Sequence, residues 1–195
     1  MNANVGVLYP VAAPISAYTP GAAPTYGTGA VLEEARGATV TWNRADGHFY
    51  GNDVELDSDN GVLGYTIDFE PTGLTDAGRA MLLGEVAASD EYTITDAASP
   101  SVGFGYIRRM RTAQSTTGTV AETFEGWWYY KIRFSLNSEE TRTKEQNIEW
   151  RTPTLNGNGA GVQLTSGSAL SFAVHESFST LAAAKTWLNG KAGIS

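Results

Sequence analysis

Hydrophobic and polar positions alternate most regularly over residues 126–136, GWWYYKIRFSL. Trp128, Tyr130, Ile132, Phe134 and Leu136 share one parity, and Trp127, Tyr129, Lys131, Arg133 and Ser135 share the other, which is the two-residue period of a β-strand. Aromatic and β-branched residues dominate both parities of the front half. Past a polar link, NSEETRTKEQ, residues 147–155 alternate again, with Ile148, Trp150, Thr152 and Thr154 on one side. This pattern predicts two antiparallel strands joined by an extended hairpin. Pro153 has no N–H to give a ladder, so the second strand is expected to lie at an edge or to stop there.

The remaining pattern is mostly β. Strands are predicted over residues 30–34, 38–44, 62–70, 92–95, 102–110 and 169–175. In the strand 102–110, Gly103 and Gly105 leave one side bare, so a neighbouring ring or backbone can approach closely. Helical spacing occurs over residues 74–84, with Thr75 as N-cap, Asp76 in the first turn and Gly84 as the stop. It recurs over 178–189, ending at Gly190, where Phe178, Leu181, Ala184, Lys185 and Leu188 form a narrow stripe suited to docking on a sheet. Residues 112–123 read as a mobile loop and NGNGAG as a flexible turn. Residues 1–26 are rich in Ala, Pro and Gly, with only 5–9 able to form a short strand. They read as a loose arm, of the kind that orders on assembly, ahead of a single domain over 27–195. The fold class is α+β, mainly β, with antiparallel sheets flanked by one or two helices.

Composition narrows the chemistry. The chain of 195 residues has no cysteine, which excludes disulfides, thiolate metal sites and cysteine nucleophiles. A formal net charge of −8 argues against nonspecific binding to the outside of a nucleic-acid duplex, yet allows DNA to pass nearby. No apolar run reaches the ~20 residues of a membrane span, and no basic, then apolar, leader opens the chain, so a soluble protein without signal peptide is expected.

Catalytic patterns are sparse. His48 and His175 have no companions at ligand spacing, and Glu139, Glu140 and Glu149 have no neighbours that would raise a pKa. DSDNG at residues 57–61 resembles the start of a calcium loop, but its glycine comes one position early and no glutamate closes it. A solvated acidic hairpin is the simpler reading, and no metal, cofactor, catalytic residue or enzymatic activity is expected. Asp53, Glu55, Asp57 and Asp59 recur at every second position, so an extended chain sets four carboxylates on one wet or cation-facing side. Arg108, Arg109 and Arg111 form an arginine cluster at a strand end. The tandem Trp127–Tyr130 could serve a carbohydrate-binding or adhesion module as a stacking platform, although alternation turns half of those rings inward.

The stretch KIRFSLNSEETRTKEQNIEWRTPTLNG resembles the major tail tube proteins of long-tailed (siphovirus) phages that infect Gram-positive bacteria. It has their aromatic strand, Phe-Ser-x-x-Ser-Glu-Glu link, Thr-Lys-rich turn and closing strand ending Thr-Pro-Thr-Leu. The resemblance extends in order to TYGT at 25–28, LTDAGRAMLLG at 74–84 and GFGYIRRMR at 103–111. It implies a tail-tube-type β-sandwich or barrel, related to type VI secretion tube proteins, whose subunits form hexameric rings stacked into a hollow tube. DNA crosses that tube in transit during ejection. Tape measure and tail terminator proteins are the further partners implied, the location is the virion tail after synthesis in the host bacterial cytoplasm, and no membrane is involved. On this reading Asp53, Glu55, Asp57 and Asp59 are candidates for the bore or for a contact with the next ring. Trp127, Tyr129, Lys131, Arg133, Arg109 and Arg111 are candidates for subunit contact.

Overall fold

The computed structural model describes residues 2–51, 54–88, 91–113, 120–136 and 152–194. In chain order the elements are β1 (Asn2–Ala17), β2 (Thr25–Tyr26), β3 (Ala30–Val31), β4 (Ala35–Arg44), β5 (Gly47–Gly51), β6 (Val54–Asp59), β7 (Val62–Pro71), α1 (Asp76–Leu83), β8 (Val86–Ala88), β9 (Glu91–Thr93), β10 (Val102–Ala113), β11 (Val120–Leu136), β12 (Leu155–Gly159), β13 (Val162–Gln163), β14 (Leu170–Ser171), β15 (Ala173–Phe178) and α2 (Leu181–Ala192). The fold is therefore α+β and mainly β, with antiparallel sheets and two helices. One nine-stranded sheet runs β2-β1-β10-β11-β12-β7-β4, with β15 added to β11 and β3 added to β1. The sheet coils so that β4 comes alongside β1, and Ala12, Phe104, Tyr129, Phe134, Leu155 and Phe69 meet inside it.

Strand β11 is the hub. One of its edges pairs with β10, from Ala113↔Val120 to Val102↔Ile132. The other edge pairs first with β15, from Phe124 to Tyr129, and then with β12, from Ile132 to Leu136. Between the two partners the backbone is held by side chains. Tyr26 Oη donates to the Tyr130 carbonyl at 2.8 Å, and the Lys131 carbonyl accepts both from Tyr65 Oη at 2.9 Å and from Ala160 N–H at 3.1 Å. The β10 register slips at this point, since Phe104 pairs with Tyr129 but Val102 with Ile132. The strict alternation predicted for residues 126–136 therefore changes phase at the bulge. Tyr129 joins Ile132 and Phe134 in the main core, whereas Trp128 and the half-buried Tyr130 face the opposite way, toward α2.

Helix α2 explains why both parities of β11 are apolar. It buries Ala184, Leu188 and Ala192 against Val11, Ala13, Ile107 and Trp128. The docking stripe expected for this helix is present, but the helix starts later and ends later than the pattern suggests. Thr180 caps its start by accepting from Ala183 N–H, and Gly193 in the left-handed region (φ 64°) closes it, so Gly190 lies within the helix. Helix α1 matches its expected signals, with Thr75 accepting from Gly78 N–H and Gly84 at φ 76° as C-cap.

The loop expected over residues 112–123 gives way at its ends to β10, which runs to Ala113, and to β11, which starts at Val120, while 114–119 lie outside the described residues; two further expectations are corrected. The loose arm over residues 1–26 is instead mostly β1, paired with β10 from Asn2↔Thr112 to Pro14↔Val102. Val11, Ala12 and Ala13 are wholly buried because one face of β1 meets the main core and the other meets α2. Burial on both faces removes the alternation by which a strand is recognised, and small side chains are what the close-packed helix leaves room for. The turn expected at NGNGAG is instead β12, and it is interior, between β11 and β7, rather than at an edge. Pro153 precedes its first residue, Leu155, so the missing N–H costs no ladder bond; residues 137–151, including Trp150, lie outside the described residues. Glycine is required in β12 because rings fill the space where a Cβ would stand. A Cβ at Gly157 would come 2.5 Å from Ile132 and 2.8 Å from Phe134, and one at Gly159 would lie within the Tyr65 ring.

Gly159→Ala should therefore destabilise the protein by about 1–3 kcal/mol through overpacking. Gly190→Ala, where a Cβ meets nothing within 4 Å, should be neutral or slightly stabilising. Urea midpoints of the two variants, read against the wild type, test both expectations, and an unchanged midpoint for Gly159→Ala would contradict the close approach of Tyr65.

Candidate functional site

The last five residues of β11, together with β12, β7 and β4, form a four-stranded wall. One face is the main core. On the other, register aligns Arg133, Asn158, Thr66 and Thr41 in one row, and Ser135, Asn156, Asp68 and Thr39 in the next, with Glu70 beside Gly37 beyond them. Thr41, Asp68, Glu70, Arg133 and Asn158 are exposed, and neither helix packs on this face. The result is a broad surface of hydroxyls and amides in which two carboxylates, Asp68 and Glu70, outnumber the guanidinium of Arg133. Arg133 is partly engaged, since its Nε donates to Ser101 Oγ at 2.9 Å. Such a face can hydrate and can repel a polyanion, and a cavity of about 230 Å³ at its margin takes in one of its row residues, Ser135, beside Leu83, Ile94 and Ser99. The wall itself was hidden because Asn156 and Asn158 sit in the stretch mistaken for a turn.

The candidate contact residues divide between surface and interior. Tyr129 is wholly buried in the main core, so its place is inside this chain rather than on the contact face expected for it. The phase change at the bulge put it there. Trp127 is half-buried: it pairs with His175 across β11–β15, stacks on that imidazole at 4.4 Å and 15°, and lies under the Arg108 guanidinium at 4.3 Å. Its ring is thereby occupied by the protein's own groups, which leaves little of the platform a sugar ring would stack on. Arg108 also donates to Tyr106 Oη at 3.1 Å, and that hydroxyl lies 3.3 Å from Tyr129 Oη. Burial, the largest single influence, works against the Arg108 charge, but the Tyr106 hydrogen bond and the electrostatic influence of Tyr106, Tyr129 and Glu125 together outweigh it and hold the pKa above its ordinary value. Lys131 places its ammonium 5.1 Å from the Tyr18 ring centre.

Arg109 and Arg111 stand on the α2 side of β10 and converge on one carboxylate. Arg109 Nη2 donates to Glu122 Oε1 at 2.6 Å, and Arg111 Nε donates to the same oxygen at 2.9 Å. Hydrogen bonds from Arg109, then Arg111, hold the Glu122 carboxyl below the usual carboxylate range. Two guanidinium groups share one carboxylate, so the cluster keeps one net positive charge.

Of the acidic comb, Asp53 lies outside the described residues, and Glu55, Asp57 and Asp59 belong to β6, which pairs with β5. The register slips by one between Phe49↔Asp57 and Tyr50↔Glu55, so a bulge interrupts the two-residue period between these two carboxylates. Among the described residues no group of three or more His, Asp or Glu could hold a metal ion.

The strongest electrostatic perturbations belong to the interior phenols. Burial pushes the Tyr26 hydroxyl up to about 12, partly offset by the Trp128 hydrogen bond. Burial also raises Tyr65 and Tyr129, the latter reinforced by Tyr106. In the unfolded chain these groups titrate near 10. The folded state therefore holds the protons more tightly, and this contribution to stability is fully present below about pH 10 and lost as pH rises through 10 toward 12 and beyond. Above pH 10 each phenol should cost about 1.4 kcal/mol of stability per pH unit. Unfolding and the rise of tyrosinate absorbance should coincide in an alkaline titration; ionisation of these three phenols in a protein with intact near-ultraviolet circular dichroism would contradict the buried assignments.

No family model matches this chain, and no match was found among curated proteins.

Proposed function

We propose that the chain is a major tail tube subunit, a noncatalytic virion protein that assembles as hexameric rings stacked into a hollow tube for the passage of phage DNA. The resemblance at KIRFSLNSEETRTKEQNIEWRTPTLNG motivates this reading. The observation that supports it best is the wall of β11, β12, β7 and β4, with its apolar inner face and a polar outer face on which Thr39, Thr41, Asp68, Glu70, Arg133 and Asn158 are exposed.

A tube bore has a specific physical requirement. Its lining must stay wet, must not grip phosphates, and must be stiff enough to hold its shape while a polyanion slides past. Rows of Thr, Ser and Asn on a sheet backed by Tyr65, Ile67, Phe69 and Phe134 meet that requirement, and Asp68 and Glu70 add repulsion. The tape measure and tail terminator proteins would meet the same tube along its bore and at its end.

Negative-stain electron microscopy of the purified protein at high concentration should show rings or tubes. Monodisperse monomers under conditions in which virion tails persist would overturn the proposal.

A further inference from the structure

A second surface, at the edge of the sheet that carries α2, has its own features. Strands β1, β10, β11 and β15 follow one another antiparallel. At one end, among the described residues, β1 over residues 2–8 pairs only with β10, with a bulge at Val5 between Asn4 and Gly6, because β2 and β3 take up its other edge no earlier than Val11. At the other end, β15 pairs only with β11 among the described residues. Both are open strand edges, and open edges are templates for pairing with another chain.

The β1 edge ends in a cleft of about 420 Å³, lined by apolar side chains such as Val7, Leu8, Leu32 and Leu181 and by the charged Glu34 and Lys185. Tyr9 forms its floor in a left-handed conformation (φ 52°), which is strained for a residue with a Cβ. Two contacts from α2 hold it: Tyr9 Oη donates to Asn189 Oδ1 at 3.0 Å, and the Lys185 ammonium lies 4.6 Å from the ring centre. At the other end, Leu170 just ahead of β15 is 57% exposed.

We propose that these two edges form a head-to-tail contact between two copies of this chain, in which β15 of one copy adds antiparallel to residues 2–8 of the next. The proposal rests on the tube reading only in taking the partner to be a second copy. Three features fix the arrangement. Four antiparallel strands leave β1 and β15 running in opposite senses, so adding β15 to β1 continues the alternation. In that antiparallel sense the start of β15 reaches the Leu8–Pro10 end of β1, beside the cleft, and Leu170, three residues ahead of β15, lies past it on the side of β3. The end of β15 then brings Glu176 beside Gly6. Glu176 pairs with Gly126 and so stands on the α2 side of the sheet, the side that carries Arg109 and Arg111. The β1 residues paired with those arginines are Gly6 and Ala3, too small to screen them. Glu176 thus supplies the carboxylate that the net positive Arg109–Glu122–Arg111 cluster lacks. The contact is heterologous, the type that closes into rings.

The chain has no cysteine, so single thiols report the contact cleanly. Val5→Cys and Ser177→Cys, each exposed and expected to face one another in this register, should give a disulfide-linked pair when the two variants are mixed and oxidised, and not when either is oxidised alone. Leu170→Asp should raise the concentration needed for assembly about tenfold or more, while Leu63→Asp, at a leucine 70% exposed elsewhere on the molecule, should not change it. Tubes that form without the mixed cross-link, or with Leu170→Asp unimpaired, would overturn this contact and leave the tube reading standing. A mixed cross-link in open chains that never close would uphold the contact and sink the tube reading. Cross-linking of Val5→Cys with itself would replace the head-to-tail contact by a symmetric β1–β1 one, and a protein that neither cross-links nor assembles would remove both.

Discussion

The fold depends on how β11 is held where its partners change. A strand of 17 residues cannot keep one neighbour along its whole length here, because β15 leaves at Tyr129 and β12 begins at Ile132. Neither β15 nor β12 supplies a ladder partner to the Tyr130 and Lys131 carbonyls at that gap, and a carbonyl left unpaired in a part-buried place costs about 1–3 kcal/mol. Tyr26 and Tyr65 supply hydroxyl donors to them, and Ala160 adds an amide. The same phenols pack on Trp128 and Tyr129, with ring centres 5.2 Å apart in each pair, so satisfying the backbone and filling the core are one task. The raised pKa values of these tyrosines are the electrostatic sign of that arrangement. A neutral hydroxyl suits the site, and a phenolate does not.

From that gap the sheet acts as two. Toward the start of β11, the strands β1, β10, β11 and β15 lie under α2 and are apolar on both faces where they cross it. Toward its end, β11, β12, β7 and β4 are apolar on one face and polar on the other. The bulge at residues 129–132 accounts for the change, because one extra residue moves the aromatic series from one side to the other. An aromatic strand with two apolar faces therefore needs no partner molecule to cover it. The chain's own helix covers one face at Trp128, and its own coiled sheet covers the other at Tyr129.

Much of this was legible in the residues, and the failures share a cause. Helix α1 was readable because Thr75, Asp76 and Gly84 act locally. Strands β4, β7 and β10 were readable because one face is more polar or more glycine-rich than the other. Strand β1 was not, since burial on both faces in a close-packed place selects Ala and Pro and erases the period. Nor was β12, where glycines that make way for Tyr65, Ile132 and Phe134 look the same in sequence as glycines that make a turn. The polar wall escaped for the same reason: two of its rows run through Asn156 and Asn158 of that strand. Tyr129 was misplaced because a bulge is a tertiary event that strict alternation cannot register.

Under the proposed tube function, the division of the sheet would also bear on how one chain assembles and still leaves a passage clear. Surfaces that bind other copies need apolar anchors, open strand edges and unbalanced charge, and such features gather around α2, in the cleft beside β1 and in the Arg109–Glu122–Arg111 cluster. A surface that lets a polyanion slide needs the reverse: no cleft, no surplus of cations, and side chains that stay hydrated. In the proposed tube, Thr39, Thr41, Thr66, Asn156 and Asn158 would supply that on the other part of the sheet. The two demands conflict on one face, because a cation placed to hold a neighbouring subunit would also hold phosphate. Separating them along one strand, with a tyrosine-held bulge as the boundary, would let each face of the proposed tube subunit be selected for its own task.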